Sequence, residues 1–249
     1  MARSRYGESW DGLRGEVLRL SVPAVLEMLL LTFAQIADLM MVGRLGPSAI
    51  AAVAVSTQPM FLALAPFWAL GAGATALVAR FAGSGDPEGA EAATRQGLLV
   101  TVTFSVALAA AGWAWAPLIV RMMGAEGPVV PGATGYLRAL MAGFPALAVT
   151  TVLSAAIRGA GDTRTPMLIN GAANLVNVAG NYALIFGRLG FPAMGVVGAG
   201  VATSVSRALA MAAILLALEG GVTPLRLSAG AWRPDVPLIR RLWAVSLPT

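Results

Sequence analysis

The chain has 249 residues, 57% of them hydrophobic and only 12% charged; a soluble globule carries about a quarter charged residues, so this composition predicts an all-α polytopic membrane protein. It has no Cys and no His, which excludes disulfides, thiolate nucleophiles and the commonest metal ligands, and all 17 basic residues are Arg, which excludes Lys-based Schiff-base and Ser/Lys chemistry. The net charge of +5 is best placed on one side of a bilayer and calls for no nucleic-acid partner.

Residues 1–20 are polar, with Arg3, Arg5, Arg14 and Arg19 interleaved with Leu13, Val17, Leu18 and Leu20 at roughly helical spacing. They predict an interfacial segment feeding the first span, and no small-residue cleavage site follows them, so they are not read as a signal peptide. The first span covers about residues 22–42 and carries Glu27 and, near its end, Asp38. A carboxylate at membrane depth is costly by several kcal/mol and marks a functional site by default. The second span, about 49–81, contains Gln58, Pro59 and Pro66 and is expected to bend. A short polar helix over 88–95 precedes the third span, 97–120, whose Trp113 and Trp115 are interface anchors.

The fourth span, about 133–157, ends at a turn, Arg158-Gly159-Ala160-Gly161-Asp162-Thr163-Arg164-Thr165-Pro166, where Thr165 is placed to cap and Pro166 to start the fifth span. That span runs to about residue 186 and carries Asn170, Asn174, Asn177 and Asn181. At about 100° per residue their spacings of four, three and four put all four within roughly 60° of one another. Four amides on one face do not point at lipid: they form either a site or interhelical glue. Their oxygens are hard ligands suited to sodium, with possible Na+ ligation by Asp38, Asn177 and Asn181, and their NH2 groups can hold a carboxylate in either protonation state. Asp38 is the one member that can lose and regain a proton.

The sixth span, about 196–218, carries Thr203 and, one turn later, Arg207, which is expected to face the bundle interior and neutralise a carboxylate. Gln35, one turn from Asp38, could orient it. Glu27 is 11 residues before Asp38, three turns on nearly the same face and about 16 Å nearer the cytoplasm, where it is either a proton entry step or a solvated group with no role. Pro23 is either a bend in the first span or an ordinary helix-start proline.

With the N-terminus inside, twelve Arg fall on inner segments and four (Arg44, Arg121, Arg138 and Arg188) on outer ones, which predicts a cytoplasmic N-terminus in the inner membrane. The chain therefore divides into an N-terminal segment 1–20, a six-helix lobe 21–218, a cytoplasmic linker 219–236 and, at 237–249, the start of a second repeat. In that last stretch the run from Leu238 through Arg240 and Arg241 to Ser246 and Pro248 restates Leu13 through Arg14 and Arg19 to Ser21 and Pro23, as in a parallel repeat of six helices.

Several ordered motifs resemble the multidrug and toxic compound extrusion (MATE) transporters: Pro23 followed by Asp38 and Val42-Gly43-x-Leu45-Gly46; the loop Gly159-Ala160-Gly161-Asp162-Thr163-x-Thr165-Pro166-Met167; and Asn177-x-x-x-Asn181-Tyr182-x-Leu184-Ile185-Phe186-Gly187 with the stretch 195–203. The resemblance covers the N-terminal lobe only. It implies one half of a two-lobe (6+6) inner-membrane antiporter that expels amphipathic or cationic small molecules against inward H+ or Na+, with no cofactor beyond that ion and with the bilayer and a missing second lobe as partners. It places Asp38, Asn177 and Thr203 at cation-site positions, Asn181 where some members have a second Asp, and Pro23 at a proline proposed to bend the first helix. Two other readings are weighed. A lipid-linked oligosaccharide flippase of related architecture needs a cavity lined by several Arg, and only Arg207 is available. An intramembrane aspartyl protease would use the Gly-x-Gly-Asp string at Asp162, but that Asp sits between Arg158 and Arg164 in a loop, where capping is the simpler role.

Overall fold

The computed structural model describes residues 10–227 and 234–246, all of them in helices or short connections. Arg3, Arg5, the middle of the linker and Pro248 lie outside the described residues. In order the helices are α1 (Trp10–Gly43), α2 (Pro47–Gly83), α3 (Pro87–Ala114), α4 (Ala116–Met122), α5 (Val129–Gly159), α6 (Arg164–Phe186), α7 (Gly195–Glu219) and α8 (Val236–Ser246). Five are long and apolar enough to cross a membrane: α1 from Ser21 onward, α2, α3, α5 and α7. α6 has the length, but four asparagines lower its hydropathy; packed between α1 and α7, it completes the expected six-helix lobe. The least lipid-like helix of the lobe is thus the one that carries the amide row.

Two boundaries differ from expectation, each for a backbone reason. The polar stretch after Pro87 does not form a separate helix. Asp86 accepts a hydrogen bond from the Gly89 amide at 2.8 Å, Pro87 occupies the first turn, and α3 runs unbroken from there. The third span, in turn, stops at Ala114, and α4 restarts at Ala116 with Pro117 in its first turn. Proline has no N–H for the carbonyl four residues back and its ring crowds it. Here that carbonyl belongs to Trp113, and Arg138 Nε donates to it at 3.3 Å while its guanidinium lies 4.8 Å from the Trp113 ring centre. α1 likewise begins well before residue 22, so Pro23 lies inside a continuous helix. It leaves the carbonyl of residue 19 without a helical donor, which answers the helix-start reading of Pro23.

α5 is the central helix. Of its most apolar window 78% is buried, and it packs against α2, α3 and α7. Hydroxyls stitch these contacts: Ser56 and Thr75 on α2 donate to Ala133 and Ala155 carbonyls of α5 at 3.2 and 2.8 Å, and Ser204 on α7 donates to the Ala139 carbonyl. Glycines set the approach, since small residues let membrane helices touch backbone to backbone. A Cβ on Gly198 of α7 would fall 2.6 Å from the Leu184 carbonyl oxygen of α6, and one on Gly73 of α2 would meet Ser246 of α8. α8 is thereby seated on α2, with Trp243 edge-on to Phe104 of α3. α1 is the opposite case, with 11% of its apolar window buried and contacts chiefly to α6.

Candidate ion-coupling site

α1 and α6 point the same way, because both of their polar contacts fall at the same sequence offset. Glu27 meets Asn170 and Asp38 meets Asn181, each pair 143 residues apart. Eleven residues separate the two acids on one helix and the two amides on the other, so the rungs stay in register over about 16 Å.

At the upper rung Asp38 is half-buried. Asn181 Nδ2 donates to its Oδ1. With its oxygen towards α7, the Asn177 amide donates to Asp38 Oδ2 at 3.2 Å and accepts from Thr203 Oγ1 at 3.1 Å. Each carboxylate oxygen then takes one amide proton, an arrangement suited to an ionised acid, which only accepts. A protonated Asp38 would instead need an acceptor, which an Asn177 amide turned over would offer.

Arg207 acts on Asp38 through space: the two charges interact, but no ion pair within 4 Å forms between them among the described residues. The expected direct neutralisation is thus corrected to a longer-range one, which leaves both Asp38 oxygens to the Asn181 and Asn177 amides. Tyr136 of α5 also lies within electrostatic reach of Asp38. Sequence reasoning missed it, because a tyrosine in an apolar helix carries no spacing signal. One turn beyond the site Val42, Ile185 and Ala199 form a buried apolar cluster, with Tyr136 packed against it.

A sodium ion would find hard oxygen donors among Asp38, Asn177, Thr203 and Asn181, whose Oδ1 is buried with no hydrogen-bond partner among the described residues. A proton needs only Asp38.

The lower rung was not legible beforehand. Asn170 Nδ2 donates to Glu27 Oε1 at 2.7 Å and lies 3.5 Å from Ser154 Oγ, while Arg158 NH1 stands 3.3 Å from Glu27 Oε2. Glu27 is therefore not an idle solvated group: it ties α1 to both α5 and α6. Gln35 does not orient Asp38. It is exposed and bonds to nothing among the described residues, since three residues along a helix turn it about 60° to the outside. Asn174 is 6% exposed and likewise makes no hydrogen bond among the described residues. Asp162 accepts from the Arg164 and Thr165 amides, each at 3.0 Å, so it, rather than Thr165, caps α6.

With this geometry in view, a family model described as MatE matches residues 23–183. The chain belongs to the MATE family. A probable multidrug resistance protein NorM of Thermotoga maritima is 34% identical over 195 residues, covering 78% of this chain and 42% of that protein. The multidrug resistance protein PmpM of Pseudomonas aeruginosa is 34% identical over 191 residues, covering 76% of this chain and 39% of that one. Among solved structures, a MOP superfamily transporter from Pyrococcus furiosus superposes with a TM-score of 0.84 at 28% identity, over 93% of this chain and 50% of that one. An outward-facing MATE multidrug resistance transporter gives 0.83 at 28% identity, over 91% and 50%. The chain spans less than half the length of these curated relatives and half of these solved chains, which fits one lobe of the MATE fold. Relatives of this kind are transporters, and the aspartyl-protease reading ends here.

Proposed function

We infer that this MATE chain is the ion-coupling lobe of an inner-membrane antiporter, its N-terminus in the cytoplasm, that exports amphipathic or cationic small molecules against inward H+ or Na+. The observation that carries this is Asp38, whose two carboxylate oxygens are both within reach of amides from α6 at membrane depth. A charge held there is retained for function. When Asp38 takes up a cation its charge is cancelled, the field on Arg207 changes, and α1, loosely packed and lacking one backbone hydrogen bond at Pro23, is the helix with least to hold it in place. Export additionally needs a surface against which this lobe rocks, because alternating access is the movement of one repeat against another around a fixed site.

The test uses cells stripped of their own efflux pumps and a fluorescent organic cation such as ethidium. The 249-residue chain alone is expected to leave ethidium accumulation unchanged, and the chain joined to a second six-helix MATE lobe to lower it. Export by the chain alone, as a monomer, would overturn the two-lobe reading.

A further inference from the structure

At the upper rung and between it and the lower one, three polar groups have no protein partner among the described residues. Asn174 is nine-tenths buried and unbonded; Asn181 Oδ1 is buried and unbonded; Arg207 forms neither a hydrogen bond nor an ion pair within 4 Å among the described residues. They lie together. Thr203 of α7 meets Asn177 of α6, the two helices run in opposite directions, and one turn from Thr203 towards the Glu27 end brings Arg207 level with Asn174. Across the seam, the fixed offset places Leu31 opposite Asn174 and Ala34 opposite Asn177, and neither side chain can hydrogen-bond. Polar groups that find no partner in the protein are met by water: Asn181 Oδ1 is fully buried without one, and the Asn174 amide and Arg207 guanidinium, level with each other below it, are polar groups that water would reach.

We propose that the seam between α1, α6 and α7 is a hydrated path along which the coupling cation passes from Asp38 to Glu27, the station from which it leaves to the cytoplasm. This rests on the reading of Asp38 as the coupling acid and extends it to the ion's route. Two features give the path its direction. The apolar cluster of Val42, Ile185 and Ala199 closes the seam beyond Asp38, whereas the opposite end opens at Glu27 and Arg158, whose side chains are 20% and 34% exposed. A partly exposed ion pair is held weakly, so Glu27 exchanges Arg158 for an arriving cation at little cost. Arg207, level with the middle of the path, repels a cation and disfavours its lingering there, so the two acids are the resting points.

The chain has no Cys, which makes single introduced thiols clean reporters, and a thiol reacts through its thiolate, which forms only where water reaches. Asn174→Cys and, as a second reporter with no hydrogen bonds to lose, Ala34→Cys are compared with Leu175→Cys on the outward face of α6, where Leu175 is 69% exposed. The three are labelled in inside-out membrane vesicles with a small, charged methanethiosulfonate reagent. Thiols at 174 and 34 are expected to react about tenfold faster than the thiol at 175, as water-exposed thiolates do, and adding Glu27→Leu is expected to slow the first two and leave the third unchanged. If both seam thiols react no faster than the one at 175, or if Glu27→Leu leaves them fast, the path is overturned. Labelling requires no transport. Fast, Glu27-dependent labelling beside an Asp38→Asn protein that still exports would remove the coupling assignment while keeping the wet seam; slow labelling beside a dead Asp38→Asn protein would do the reverse.

Discussion

Replacing Asp38 by Asn in the two-lobe protein is expected to return drug accumulation to the level of cells without the transporter, at unchanged protein abundance in the membrane. Asn has the shape of Asp and keeps one oxygen, for the Asn181 amide, while its NH2 faces Asn177, whose amide can turn its oxygen to accept, so the rung survives. What it loses is the ability to change charge. Burying an ionised group is expensive and a neutral amide less so, so the variant should unfold at the same temperature as wild type or higher. A purely structural Asp38 predicts the opposite pairing, with less protein in the membrane and partial export by whatever remains. Varying external sodium at fixed pH in the wild type then separates the two ions: sodium-dependent export would make sodium the coupling ion, and sodium-independent export would leave the proton.

The largest expected effect on stability lies at a glycine. A Cβ on Gly198 would sit 2.6 Å from the Leu184 carbonyl oxygen and 2.7 Å from its carbon. These are backbone atoms of α6, so no side chain can swing aside. Gly198→Val should therefore part α6 from α7 and lower stability by about 1–3 kcal/mol or more, the range for overpacked contacts. The damage should reach the site, because Thr203 lies five residues further along α7 and its contact with Asn177 depends on the same crossing. Gly43→Ala is the control: a Cβ there meets nothing within 4 Å, and the change should stay within about 0.5 kcal/mol. Thermal unfolding in detergent reads both. A Gly198→Val protein as stable as wild type would mean that α6 and α7 do not touch as described.

What the sequence showed and what it hid divide along one line. A single helix can be read by itself: the asparagines of α6 share a face because of their spacing, and Asp38 stands out because lipid leaves it no other reason to be there. Relations between helices are not written in spacing. That α1 and α6 run parallel at one constant offset, pairing both acids with amides, needed the fold, and so did the Arg158 and Asn170 contacts of Glu27. Gln35 misled for the same reason, since one turn along a helix is close in sequence yet turned to the outside. Trp113 and Pro117 show a local rule with an unforeseen outcome. Four prolines (Pro23, Pro59, Pro66 and Pro145) lie inside continuous helices, whereas Pro117 begins a new one, where Arg138 takes up the freed Trp113 carbonyl.

The central claim is that cation uptake at Asp38 is obligatorily tied to export. It is tested most directly in proteoliposomes of the two-lobe protein, by imposing a drug gradient and recording H+ and Na+ movement in the same vesicles. The account predicts that drug flux drives one of these ions in the opposite direction in the wild type, and that Asp38→Asn abolishes both fluxes together. Ion movement that persists at full rate in the Asp38→Asn protein would contradict it.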